Sequence, residues 1–98
     1  MMLPKSDRRY ASDLLKELEF RDKYVLDVGF GDGWLIDEKR QAFTAMTAVE
    51  TSGDFVTSAK ERWAGTPVAD KVEFLHADIA TLTLPKELYD LVVFSHSF

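Results

Sequence analysis

Apolar side chains recur at helical spacing near the start of the chain. Tyr10, Leu14 and Leu18 fall on one face of residues 6–20, and charged residues fill the positions between them. Ser6 is suited to cap this segment, because a serine hydroxyl accepts hydrogen bonds from the free N–H groups of a first helical turn. The pattern predicts an amphipathic helix over residues 6–20.

Four apolar runs rich in β-branched and aromatic residues follow, and each predicts a buried strand. The predicted strands are residues 24–28, 45–50, 72–76 and 89–94. Helical patterns separate the first three strands, one ending at about Ala42 and one ending at Trp63. Trp34 and Trp63 fall on the sheet-facing sides of these helices and are predicted core residues. Alternating strands and helices favour an α/β fold with a doubly wound parallel sheet.

The composition is that of one soluble globular domain. The chain has 98 residues, of which 46% are hydrophobic and 30% charged, enough for a real core. A net charge of −5 argues against an extended nucleic-acid-binding surface, since phosphate binding needs clustered Lys and Arg. The absence of cysteine excludes disulfides and thiolate metal sites. No apolar run is long enough for a bilayer, and the start of the chain lacks the apolar stretch of a secretory signal, so we expect a cytoplasmic protein without a membrane partner. We also expect no metal site.

Chemically distinctive residues stand where the predicted strands end. They are Asp27, Glu50, Asp78, Ser95 and His96, together with the glycine-rich residues 29–33. In an open parallel sheet, ligands bind at the carboxyl ends of the strands. The pattern therefore predicts one binding site built from four separate segments.

The glycine loop and Glu50 together indicate an adenosine-type cofactor. Glycines let the backbone approach a ligand closely and adopt positive φ. Glu50 lies about 20 residues after Gly29, the spacing at which a carboxylate accepts hydrogen bonds from ribose hydroxyls. A dinucleotide pyrophosphate would lie near Asp27 and Asp32, and like charges about 5 Å apart repel by roughly 3 kcal/mol at an effective dielectric of about 20. The loop therefore favours a cationic ligand, such as the ammonium and sulfonium groups of S-adenosylmethionine.

Residues 25–33 closely resemble motif I of the class I methyltransferases. Residues 48–52, 72–79 and 89–95 resemble the three following motifs of that family, in the same order and at similar spacing. The resemblance implies a three-layer αβα Rossmann-like fold with strand order 3-2-1-4 and S-adenosylmethionine as the cofactor. It also implies transfer of a methyl group, which we expect to go to a small molecule.

At the methionine end of the cofactor, the resemblance implies contacts from the glycine loop and from the ends of the first and fourth strands. Gly29, Phe30 and Gly31 would hold the methionine part. Asp27 would lie near its amino group, and Ser95 would lie close by.

At the nucleoside end, the resemblance places Glu50 on the ribose hydroxyls and Thr51 beside the adenine. Asp78 would accept a hydrogen bond from the adenine amino group, and the Ile79 backbone N–H would face the ring. A simple turn is the alternative role for Asp78. Tyr10 would cover the cofactor as a lid, with plain packing as its alternative.

His96 is the candidate general base, because an imidazole has a suitable pKa and would stand near the transferred methyl group. Methyl transfer is an in-line displacement on an activated sulfonium, so alignment of the reactants is the alternative source of catalysis. His76 is expected to belong to its strand and to take no part in the chemistry.

The sequence departs from the family in lacking the three further strands of a full domain. We therefore expect a single S-adenosylmethionine-binding domain over residues 1–98, with a truncated sheet and an incomplete methyltransferase core over residues 24–98. A cofactor-binding but inactive module and half of an NAD- or FAD-binding dehydrogenase are the alternatives. If the chain ends at Phe98, the apolar fourth strand is an unpaired edge, and we expect self-association through it unless the chain is a fragment.

Overall fold

The fold is described by a computed structural model over residues 17–84 and 86–95. Its elements are α1 (Glu17–Phe20), β1 (Tyr24–Val28), α2 (Trp34–Lys39), β2 (Ala45–Glu50), α3 (Gly53–Trp63), β3 (Val72–His76) and β4 (Leu91–Val93). Short 3-10 turns at Pro67–Asp70 and Lys86–Leu88 precede β3 and β4. Most of the helix predicted for residues 6–20 lies outside the described residues, as do Tyr10 and His96.

The four strands form one parallel sheet in the order β3-β2-β1-β4. Asp27 of β1 stands between Ala48 of β2 and Val93 of β4, and Glu50 of β2 pairs with His76 of β3. The register therefore aligns the carboxyl ends of the strands along one edge. This confirms the α/β class and the strand order 3-2-1-4 of a truncated Rossmann-like sheet.

The two faces of the sheet are covered differently. One face packs against α2 and α3 and holds most of the buried side chains, including Val25, Met46 and Phe74. On the other face, Leu26 and Val49 pack against apolar side chains of the segment that joins β3 to β4. Within the described part of the chain, that second layer has one 3-10 turn and no α-helix.

Three predicted boundaries were wrong: the end of α2 and both ends of β4, which ends at Val93 and not at Phe94. α2 ends at Lys39 and not at about Ala42, because the Ala42 N–H donates to the Lys39 carbonyl (2.9 Å) in a tight turn. The Ala42 carbonyl then accepts from the Asp22 N–H (3.0 Å) beside β1. β4 begins at Leu91, because the preceding Asp90 forms two hydrogen bonds with Tyr24 at the start of β1. Its N–H donates to the Tyr24 carbonyl (2.8 Å), and its Oδ2 accepts from the Tyr24 N–H (2.9 Å).

β4 pairs with β1 on one side, and no strand of the described residues pairs with its other side. Val92 and the following Phe94 are about half exposed. Self-association through this edge stays a prediction. None of the described helices combines the length and apolar character needed to cross a membrane.

Candidate cofactor site

The glycine loop turns sharply at the carboxyl end of β1. Gly29, Gly31 and Gly33 have φ values of 69°, 56° and 81°, in the left-handed region that side chains disfavour. The Gly29 N–H donates to the Val49 carbonyl of β2 at an N···O distance of 2.7 Å. The loop is thereby folded over the end of the neighbouring strand.

Glu50, at the end of β2, holds the loop with its carboxylate. Oε1 accepts a hydrogen bond from the Gly31 N–H (2.9 Å), and Oε2 accepts from the Ser52 N–H (3.0 Å) and the Thr51 hydroxyl (3.3 Å). The side chain is buried. Each carboxylate oxygen can accept two hydrogen bonds, so Oε1 keeps capacity for one further donor.

Asp27 is the fully buried acid at the end of β1. Its Oδ1 accepts a hydrogen bond of 2.6 Å from the Ser95 hydroxyl, whereas its buried Oδ2 has no hydrogen-bond partner among the described residues. Burial raises the pKa of Asp27 from 3.8 to about 6. Hydrogen bonds from Ser95 lower this pKa, and the nearby Glu50 raises it slightly.

The Phe30 side chain points into the core beneath the glycine loop and is fully buried. Its ring meets Phe74 edge-on, with 5.5 Å between centroids, and Phe74 stacks on Trp63 at 5.8 Å. Trp63 lies directly under Gly33, since a Cβ built on Gly33 would be 2.6 Å from its ring. Phe30 can therefore reach a ligand through its backbone alone, and Trp63 is the core residue that the helical pattern predicted.

Trp34 differs from its predicted role as a plain core residue. It is half-buried, and its indole N–H donates to the Ser95 carbonyl at 3.0 Å. Its own backbone N–H is capped by Asp32 Oδ1 at 3.1 Å. No local pattern signals the contact with Ser95, because 61 residues separate the two partners.

The other residues predicted to contact the nucleoside, Thr51, Asp78 and Ile79, lie beyond the ends of β2 and β3. The Thr51 carbonyl is 3.0 Å from Nε2 of His76, which is exposed at the end of β3. The exposed Asp78 forms a turn in which its Oδ1 accepts from the Ala80 N–H (2.9 Å). Ile79 packs against the apolar cluster on the second face. Asp78 thus has the turn role given above as its alternative, with its carboxylate in reach of solvent.

The structure brings Asp27, Gly31, Glu50 and Ser95 together through hydrogen bonds that link β1, β2 and the segment after β4. The Ala77 N–H donates to the Glu50 carbonyl (3.0 Å), which holds the segment leading to Asp78 and Ile79 at the same edge. Four segments of a parallel sheet thus meet at an acidic, glycine-lined edge, which is the place where Rossmann-like domains bind their ligands.

Comparison with known proteins narrows this class. Residues 25–98 match the family model described as the methyltransferase domain. The chain therefore belongs to the methyltransferase domain family. It is 39% identical over 69 residues to an uncharacterized methyltransferase of Mycobacterium tuberculosis, a match that covers 70% of this chain and 33% of that protein. The chain thus spans about a third of the length of the curated relatives it matches.

Solved structures share the fold at lower sequence identity. Phosphoethanolamine N-methyltransferase 1 of Haemonchus contortus superposes with a TM-score of 0.75 and 22% identity, covering 90% of this chain and 18% of that one. The cyclase SpnF superposes with a TM-score of 0.72 and 21% identity, covering 87% of this chain and 32% of its own. A protein named as a cyclase therefore has the same fold, and the reaction has to be argued from the site.

Proposed function

We propose that this chain binds S-adenosylmethionine and supplies the cofactor half of a methyltransferase that acts on a small molecule. The observation that carries the proposal is the unpartnered Oδ2 of Asp27, buried beside the glycine loop. A buried carboxylate oxygen without a donor is costly, and a ligand ammonium would provide the missing partner. We extend the proposal to residues 1–98 as one cofactor-binding domain.

The residues present fit this cofactor. Asp27 would hold the amino group, and Ser95 would keep the carboxylate oriented toward it. Gly29 and Gly31 would let the backbone approach the methionine chain closely, and Glu50 Oε1 has capacity for a ribose hydroxyl. When bound, the sulfonium supplies a methyl group already activated for displacement. The chain's own contribution would then be to orient the cofactor at the edge of the sheet.

Charge argues against a dinucleotide at the same place. Asp27 and Glu50 are both buried acids, and the Coulombic effect of Glu50 on Asp27 is unfavourable already. Arg62 reaches the Asp32 carbonyl of the loop (3.4 Å), but its guanidinium is paired with Asp37 at 3.3 Å. A pyrophosphate would add negative charge to this edge, whereas a cation would offset it.

Calorimetric titration with S-adenosylmethionine and S-adenosylhomocysteine, beside NAD, tests the proposal. We expect both sulfur nucleosides to bind, and Asp27→Asn to weaken them about tenfold or more, since a hydrogen bond to a charged group contributes about 1.5–3 kcal/mol. Asp70→Asn is the matched control, because it removes the same charge from an exposed position before β3. Tighter binding of NAD, or equal losses in the two variants, would contradict the proposal.

Turnover separates an enzyme from a binding module. Release of S-adenosylhomocysteine in the presence of small-molecule acceptors would support methyl transfer by this chain. Cofactor affinity without any release would support the second candidate, a module that binds cofactor and is inactive alone.

A further inference from the structure

We propose that Trp34 is a positioning residue of the cofactor site. Its indole N–H fixes the backbone after β4, so that the Ser95 hydroxyl holds the Asp27 carboxylate oriented for a cationic ligand. The inference rests on the proposed function for the ligand, but the geometry that carries it lies within the chain.

The sheet alone does not hold Ser95. The pairing of β1 with β4 ends at Asp27 and Val93, and Ser95 lies two residues further on. Its backbone carbonyl accepts a hydrogen bond from Trp34 Nε1, at 3.0 Å. A side chain from α2 therefore anchors the residue that contacts Asp27.

Trp34 is itself held firmly. It is the first residue of α2, and Asp32 Oδ1 caps its backbone N–H. Its ring packs against the main core cluster. A half-buried ring with a fixed backbone presents its N–H in one direction, which is what positioning requires.

The position of Ser95 affects the charge of Asp27. Ser95 Oγ donates to Asp27 Oδ1 at 2.6 Å, and this hydrogen bond favours the charged carboxylate. Burial and the Glu50 carboxylate of β2 favour the neutral acid. Glu50 is the titratable group that influences Asp27 within the described residues. If Ser95 moves, the pKa of Asp27 rises, and less carboxylate remains to bind a cation.

The test is Trp34→Phe, which keeps the aromatic ring and removes the N–H donor. The pKa of Asp27 is measured in the ligand-free chain by carboxyl carbon NMR. We expect a rise of about one unit, which is a tenfold change in proton affinity. Tyr89→Phe is the matched control, because it removes another part-buried hydrogen bond, from the Tyr89 hydroxyl to Thr47 Oγ1 (2.9 Å), near the other end of β4. An unchanged pKa in Trp34→Phe would overturn the proposal.

Cofactor affinity should follow the same titration. A rise in pKa from about 6 to about 7 lowers the ionised fraction about fivefold at pH 6 and about twofold at pH 7, with almost no change at pH 8.5. A purely structural defect would weaken S-adenosylhomocysteine binding equally at all three pH values, and that result would overturn the proposal.

The wild-type chain provides a measurement that needs no variant. The sequence has two tryptophans, and the proposal predicts that the indole N–H resonance of Trp34 shifts with a midpoint near pH 6 while that of Trp63 does not. Absence of such a shift, or an equal shift in both, would count against the coupling. Failure of the chain to bind any sulfur nucleoside would reject the proposed function and leave these ligand-free results to decide the role of Trp34.

Discussion

At the residue scale, Gly33 is constrained twice. Its φ of 81° is unfavourable for any side chain, and a Cβ there would lie 2.6 Å from the Trp63 ring. We expect Gly33→Ala to lower the free energy of unfolding by about 2–5 kcal/mol, from backbone strain of about 1–2 and overpacking of about 1–3. Urea denaturation measures the loss.

Gly65 offers a matched control for this prediction. Its φ is 76°, and nothing lies within 4 Å of a Cβ built there. Gly65→Ala should therefore lose only the strain, about 1–2 kcal/mol. If the two variants lost equal stability, Trp63 would have to move aside at no cost, and the contact beneath the loop would be unimportant.

Asp27 makes a residue-scale prediction about pH. Burial raises its pKa in the folded state to about 6 from 3.8, so the folded state binds more protons than the unfolded state between these values. Its contribution to stability is fully present below pH 3.8 and is lost as pH rises through about 6. We expect the free energy of unfolding of the wild type, relative to Asp27→Asn, to fall by about 3 kcal/mol across this window.

Urea denaturation of both proteins at intervals between pH 4 and 7 checks this expectation. Subtracting the unfolding free energy of one protein from that of the other cancels the contributions of the other titrating groups, which both proteins share. Two stability curves that stay parallel across the window would mean that Asp27 titrates normally in the folded chain. Excess S-adenosylmethionine should make the stability difference between the two proteins fall less as pH rises, because a bound cation favours the carboxylate.

At the element scale, α3 and β3 support the glycine loop through three aromatic rings. Phe74 of β3 contacts both Phe30 and Trp63. Aromatic pairs contribute about 0.5–1.5 kcal/mol each beyond their buried area, so Phe74→Leu should lower the free energy of unfolding by about 2 kcal/mol. It should also weaken cofactor binding, since Phe30 belongs to the loop.

Phe94→Leu makes the same substitution at a ring that is 54% exposed and should change stability by about 0.5 kcal/mol or less. Denaturation and titration of both variants measure the two effects. A loss of stability in Phe74→Leu without any loss of affinity would mean that the loop keeps its shape independently of the rings beneath it.

The elements could be predicted from local periodicity, but some boundaries could not. Short apolar runs bounded by polar turns located all four strands. The start of β4 depends on a partner distant in the chain, Tyr24 for Asp90, which periodicity does not register. The predicted strand order rested on the resemblance, and the structure confirmed it.

At the scale of the whole molecule, the location of the site was predictable and its internal contacts were not. Parallel strands bring their carboxyl ends to one edge, so Asp27, Glu50 and Ser95 had to be neighbours once the order was right. Which side of the loop a side chain takes depends on packing. The local sequence pattern therefore did not predict that the Phe30 side chain is buried in the core or that Trp34 donates a hydrogen bond to Ser95.

Hydrogen bonds within the described part of the chain shape the glycine loop. The Gly29 N–H donates to the Val49 carbonyl and the Gly31 N–H donates to the Glu50 carboxylate. These contacts preorganise the loop for a ligand. An incoming molecule spends little of its binding energy on ordering the backbone. Encounters should then proceed at a rate set by diffusion and orientation, and variants of this edge should differ mainly in how long a bound molecule stays.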